Sequence, residues 1–197
     1  MRETTTASWR TLLTQAHDAL RDAVAGVGGS QAWDAATPCE KWSVTQVLQH
    51  AAGDQIAYAA AITGGPWPSE DPFSPSGRIE GDPGAHLAAA LDASAAAWAT
   101  VDDDAEQVPV PLPQGPMPAW LAAGACALDA GVHAWDIAVA TGRPSPLTPE
   151  MARPLMEVAT RIVEPLRAYG AYAPALEAGD DADEVAVLLA YLGRRPV

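Results

Sequence analysis

At 197 residues, 49% of them apolar, the chain is long enough to bury a sizeable core and too hydrophobic to be disordered. A net charge of −14 and a pI near 4.4 exclude nucleic acid and anionic membrane surfaces as natural partners. Cys39 and Cys126 form neither a disulfide framework nor a CxxC pair, the opening residues lack the apolar centre of a signal peptide, and no apolar run is long enough to span a bilayer, so a cytoplasmic protein is expected.

The first helix is predicted over about 5–26, where Trp9, Leu12, Leu13, Ala16, Leu20, Ala23 and Val24 recur at three- and four-residue spacing. Gly26, Gly28 and Gly29 stop it. His17 falls near its polar margin and reads as structural, as does His86 in the first turn of the third helix.

A second helix opens at Ser43, with Gln46 three residues on, the pattern of a capping box. It runs to about Thr63 and carries Val47, His50, Ala51, Asp54 and Tyr58 on or near one face, so His50 lies among apolar neighbours. The Pro-, Gly- and Ser-rich stretch over about 64–82 reads as a long surface loop. Asp82, followed by Pro83, caps a third helix that continues to about Val101. Residues Val108 to Pro113 are predicted to be extended, because their alternating prolines forbid both a helix and a central strand.

A fourth helix is predicted from near Pro118 to about Thr141, with Gly142 closing it. A fifth starts at Thr148 and Pro149 and runs toward Tyr169, with Pro165 expected to kink it or end it early. A short last helix spans about 181–193, its acidic residues Asp180 to Glu184 placed where the helix dipole favours them. No strand is predicted. The fold expected is all-α: a four-helix bundle with one or two additional short C-terminal helices, forming a single domain over 1–197.

The fourth helix carries the chemistry. Asp129 and His133 stand four residues apart and share a face of an otherwise apolar helix. Met by His50 from the second helix, they form a three-ligand set, and three protein ligands with an open position suit a catalytic divalent metal. An internal Asp–His hydrogen bond is the competing reading of the same spacing. Asp136, three residues past His133, is placed either to accept from the far ring N–H of that histidine or to lie at the surface against Arg143. Cys126, one turn before Asp129, either lines a pocket at this site or packs as a small buried residue. The tryptophans read as anchors of the core and loops.

Thr37-Pro38-Cys39, Trp42-Ser43-Val44, Val47-Leu48 and His50 together resemble the first signature of the DinB/YfiT-like family, in the branch typified by the N-terminal domain of mycothiol-dependent maleylpyruvate isomerase. Asp129, His133, Trp135 to Ala138, Ala140 and Gly142 resemble its second signature, and the tail from Leu188 to Pro196 is similar to the ending of its short members. The resemblance covers nearly the whole chain. It implies a four-helix bundle that holds a divalent metal, zinc first and nickel, cobalt, manganese or iron after it, through residues that correspond to His50, Asp129 and His133. Asp129 departs from the glutamate usual in this branch, and its shorter side chain requires either that the ion sit closer to the helix or that the helices shift.

Relatives of this kind include thiol-dependent isomerases and S-transferases, in which the metal activates the thiol of mycothiol or a related cofactor. The resemblance therefore implies a thiol-dependent transferase or isomerase acting on a small molecule, as a monomer or homodimer. Isomerisation of maleylpyruvate itself is not expected, since the two-domain isomerase builds its substrate site with a further C-terminal domain. A metal-dependent hydrolase and a non-catalytic metal-binding bundle are the rival readings.

Overall fold

The computed structural model describes residues 8–39 and 41–195. Among them are six α-helices: α1 (Trp9–Ala25), α2 (Val44–Thr63), α3 (Pro83–Trp98), α4 (Ala119–Ala140), α5 (Pro149–Arg167) and α6 (Glu184–Tyr191). A 3-10 turn, Ser30–Asp34, lies between α1 and α2, and the only β pairing among the described residues is two isolated bridges. This is the expected all-α bundle, with α5 a helix of 19 residues and α6 a short one of 8. The predicted first residues of α1, 5–7, lie outside the described residues.

The helix starts follow the residues that predicted them. Ser43 and Gln46 make both bonds of the capping box at α2, and Asp82 and Thr148 accept from backbone N–H groups ahead of Pro83 and Pro149. At the end of α4, Gly142 N–H bonds the Val139 carbonyl and Arg143 N–H the Ala138 carbonyl, a Schellman turn that needs the left-handed φ of +71° at Gly142.

Two expectations need correcting. Pro165 does not end α5 early: the helix continues through Pro154 and Pro165 to Arg167. A proline removes one helical bond, which the apolar face of Leu155, Val158, Ile162 and Val163 offsets by packing on the core. The segment from Val108 is extended only briefly. It reverses so that Val108 and Met117 exchange backbone bonds of 2.8 and 3.1 Å, which delivers the chain to α4.

α4 is the central helix. It is buried on nearly every side and packs on α1, α2 and α5. Small residues permit the close approach: a Cβ on Gly124 would meet Val158 Cγ2 at 2.4 Å. A helix enclosed in this way must satisfy every polar side chain it carries inside the protein. None of the described helices is long and apolar enough to cross a membrane.

Candidate metal centre

α2 and α4 pack face to face and bring His50, Asp129 and His133 together, with one ligand atom of each lying within 4.8 Å of the others. Asp129 Oδ1 is 3.2 Å from His50 Nε2 and 3.3 Å from His133 Nε2. The two imidazoles meet edge to face, with ring centroids 4.8 Å apart.

The outer nitrogen of each ring is already committed. His50 donates Nδ1–H to the Pro72 carbonyl at 2.8 Å. His133 donates Nδ1–H to Asp136 Oδ2 at 2.9 Å. Each ring, when neutral, therefore turns a bare Nε2 toward a carboxylate oxygen, lone pair against lone pair. Only a cation or a pair of extra protons resolves that arrangement. The other oxygen, Asp129 Oδ2, is buried with no hydrogen-bond partner. Two outward-anchored imidazoles, a carboxylate and an orphaned buried oxygen fit a divalent metal ion.

The loop after α2 supplies the Pro72 carbonyl, and side chains of α2 strap it down. Gln46 Nε2 donates to the Pro75 carbonyl, Gln49 Nε2 to the Arg78 carbonyl, and Gln49 Oε1 accepts from Gly77 N–H. Trp42 stacks on His50 at 4.6 Å between ring centroids, and Phe73 meets it edge-on at 5.4 Å. Phe73 is largely exposed, so the mouth of the site is aromatic. A separate groove of about 490 Å³ between α2 and α3, lined by Ile56, Ala60, Pro66, His86 and Ala93, does not include the three residues.

Asp136 does not pair with Arg143. Both its oxygens take a guanidinium N–H of Arg194, at 2.9 and 2.7 Å, and the carboxylate has no exposure at all. Arg143 instead reaches the Gly26 carbonyl at the surface. Nothing local in the sequence links Arg194 to a residue 58 positions away. The one available signal is an arginine at the end of an apolar helix.

Asp54 is the second residue that spacing arguments passed over. Its Oδ2 lies 3.8 Å from His50 Nε2, and its side chain is 15% exposed. The four-residue spacing that singled out Asp129 and His133 also relates His50 to Asp54.

Cys126 is fully buried and points away from the site, donating its thiol to Gln55 Oε1 at 3.1 Å. Burial pushes that thiol up to about 12, which makes it inert. His17 is buried rather than marginal: Nε2 donates to the same Gln55 oxygen at 2.8 Å, and burial lowers its pKa. His86 lies exposed in the first turn of α3.

Charge is finely opposed across the centre. Burial alone would lower the His133 pKa, but Asp129 and Asp136 overcome it and raise the ring to about 10. Burial likewise opposes charge on His50, and Asp54 and Asp129 raise it. Burial would raise Asp129, but His133 and His50 hold it well below the usual carboxylate range. Burial would also raise Asp136, and Arg194 instead holds it down at about 2. Burial and the Asp129 charge raise Asp54 to about 7, against the pull of His50 and His133.

The family model of the mycothiol maleylpyruvate isomerase N-terminal domain matches residues 13–138, a span that contains all three converging residues. The chain is also similar to two uncharacterized proteins of Mycobacterium tuberculosis, from strains CDC 1551 / Oshkosh and ATCC 25618 / H37Rv. Each is 31% identical over 153 residues, which covers 77% of this chain and 77% of the relative. No solved structure matches the chain significantly.

Proposed function

The chain belongs to the mycothiol maleylpyruvate isomerase N-terminal domain family, and from that premise we propose that it is a metal-dependent enzyme of thiol chemistry, a transferase or isomerase using mycothiol or a related low-molecular-weight thiol. The observation that carries this reading is the pair of Nε2 atoms turned on the Asp129 carboxylate, their outer nitrogens tied to Pro72 and Asp136. His50, Asp129 and His133 would hold a divalent ion, zinc first and nickel, cobalt, manganese or iron as alternatives. Such an ion lowers the pKa of a coordinated thiol, so that the nucleophilic thiolate is available at neutral pH.

The protein's own residues do the rest. Pro72 and Asp136 keep the rings facing inward, and the strapped loop with Trp42 and Phe73 limits water at the mouth. An aromatic mouth suits a small electrophile with an apolar body, such as an activated alkene or a molecule with a leaving group. The reading carries with it a cytoplasmic protein, a monomer or homodimer.

Asp54 favours a second reading, a metal-dependent hydrolase. A carboxyl raised to about 7 beside the ligand set is suited to take a proton from an attacking water. Cobalt-substituted protein separates the two. Addition of a mycothiol-like thiol should produce a strong near-ultraviolet thiolate-to-metal band, and Asp129→Ala should lose the band together with the metal. Fully metallated protein that gives no band at millimolar thiol would overturn the thiol reading in favour of the hydrolase.

A further inference from the structure

We propose that the C-terminal segment is an integral part of the metal centre: Arg194, acting through Asp136, sets the orientation of the His133 ring, so that docking of this segment and metal binding strengthen one another. The inference rests on the reading that His50, Asp129 and His133 hold a metal.

α6 closes in a Schellman turn. Gly193 N–H bonds the Ala190 carbonyl at 3.0 Å, and Arg194 N–H bonds the Leu189 carbonyl at 2.8 Å. Gly193 has a φ of +80°, and a Cβ there would meet Ala173 Cβ at 2.7 Å and the Pro174 carbonyl oxygen at 2.9 Å. Only glycine fits both the conformation and the space. The turn sends the next side chain inward rather than into solvent. At the end of α4 the same Gly-Arg turn leaves Arg143 at the surface. The two turns are alike in backbone, and what sets Arg194 apart is the buried carboxylate it meets.

Arg194 is 9% exposed and Asp136 is fully buried, so the carboxylate has no water as an alternative partner. The guanidinium engages both carboxylate oxygens, and one of these, Oδ2, also takes the His133 Nδ1–H. Planar two-point binding fixes the carboxylate's rotation as well as its position. The fixed carboxylate in turn aims the ring, and His133 Nε2 faces Asp129 as a consequence. α6 is itself held to the end of α5 by Arg167, which donates to the Ala173 and Tyr191 carbonyls. A chain of contacts thus runs from α5 and α6 to the ligand atom. If the docked segment favours the metal-ready ring, a metal on that ring must favour the docked segment by the same factor. A buried pair with only a structural role would lower stability on removal and leave both effects absent.

The test uses the full chain and the variants Arg194→Gln, Arg194→Lys and Asp136→Asn. Zinc affinity is measured by competition with a chromophoric chelator, and hydrogen–deuterium exchange follows 184–195 with and without zinc. Arg194→Gln should weaken zinc binding about 10- to 100-fold, and Arg194→Lys, which keeps the charge but loses the fork, should fall between it and wild type. Zinc should slow exchange in the wild-type segment and not in Asp136→Asn. A readout without metal accompanies these: the slowly exchanging downfield His133 Nδ1–H proton in the NMR spectrum should disappear in Arg194→Gln. Folded Arg194 variants with wild-type zinc affinity and an intact Nδ1–H signal would overturn the inference. A wild-type protein that takes up no zinc, while its Nδ1–H signal still depends on Arg194, would overturn the coupling and the metal reading together and leave only the hold on His133.

Discussion

His50 donates its Nδ1–H to the carbonyl of Pro72 at 2.8 Å, so the loop after α2 decides which ring nitrogen faces Asp129. The loop can come this close because residue 53 is glycine: a Cβ there would meet Pro72 Cγ at 2.9 Å. Gly53→Ala should gain helix propensity, about 1 kcal/mol, while pushing Pro72 off the ring. The expected outcome is a melting temperature equal to or above wild type, with zinc affinity weakened about tenfold. Thermal melts beside chelator competition check this, and an unchanged affinity would show that the loop has no hold on the tautomer.

Proton and metal should compete for the centre. His133 is raised to about 10 without metal, so at pH 7 its Nε2 carries a proton that a metal must displace. Apparent zinc affinity should therefore rise with pH, by about tenfold per unit for each proton released, until the ring titrates. Titration calorimetry in buffers of different ionisation enthalpy counts those protons, and a count of zero would contradict the charge state assigned to His133.

The same shift bears on folding without metal. A histidine whose folded pKa lies above its ordinary 6.5 contributes stability that is full below 6.5 and lost as pH rises toward 10. Asp54, raised from 3.8 to about 7, acts in the same direction over a lower window. Asp136, held down at about 2, contributes above 3.8 and loses its share only as acid takes pH down toward 2. Metal-free protein should thus lose stability between pH 6.5 and 10 more steeply than His133→Gln does. Parallel slopes in urea titrations across that range would count against it.

The sequence made the bundle legible wherever a local rule sufficed. The capping box at Ser43, the Asp82-Pro83 start and the Gly142 stop each depend on residues within one turn, and all three appear where the pattern put them. The four-residue spacing of Asp129 and His133 placed both on one face, and the structure adds His50 across from them. What spacing could not supply was the partner of a buried group from a distant segment. Arg194 reaches Asp136 only through the turn after α6, and His17, Ser94 and Cys126 converge on Gln55 only because four helices pack there. A helix wheel marks His17 as marginal because it does not register Gln55, the partner that α2 brings to it.

That convergence makes its own prediction. Gln55 Oε1 accepts from His17 Nε2, Ser94 Oγ and Cys126 Sγ, all inside the core. Gln55→Leu would leave His17 Nε2 without its acceptor, and Ser94 and Cys126 with only the 3.9 Å contact between them, at a cost of about 3 kcal/mol. Chemical denaturation should show this loss while the metal stoichiometry stays unchanged, because none of the four side chains contacts the ligand atoms. A variant as stable as wild type would mean that the donors find other partners when the core repacks.

Asp54 separates a ligand from a neighbour. Its Oδ2 lies 3.8 Å from His50 Nε2, yet it stands outside the group of three whose ligand atoms mutually converge. Asp129 lies at the centre of that group, between both imidazoles. Asp129→Asn should therefore abolish zinc binding, since the amide offers no charge to offset the ion. Asp54→Asn removes a nearby negative charge but no member of the convergent set, and should weaken binding only about tenfold. Its larger effect should fall on ionisation. Without metal, burial and the Asp129 charge raise Asp54 to about 7. A divalent ion on Asp129 replaces that repulsion with attraction, so the Asp54 pKa should drop on metal loading. Carbon-13 NMR of aspartate side-chain carboxyls, titrated with and without zinc, reads the change directly. A carboxyl titrating near 7 that disappears in Asp54→Asn and moves down with zinc is the expected result. If Asp54→Asn abolishes zinc binding as completely as Asp129→Asn does, Asp54 is itself a ligand and the set has four members.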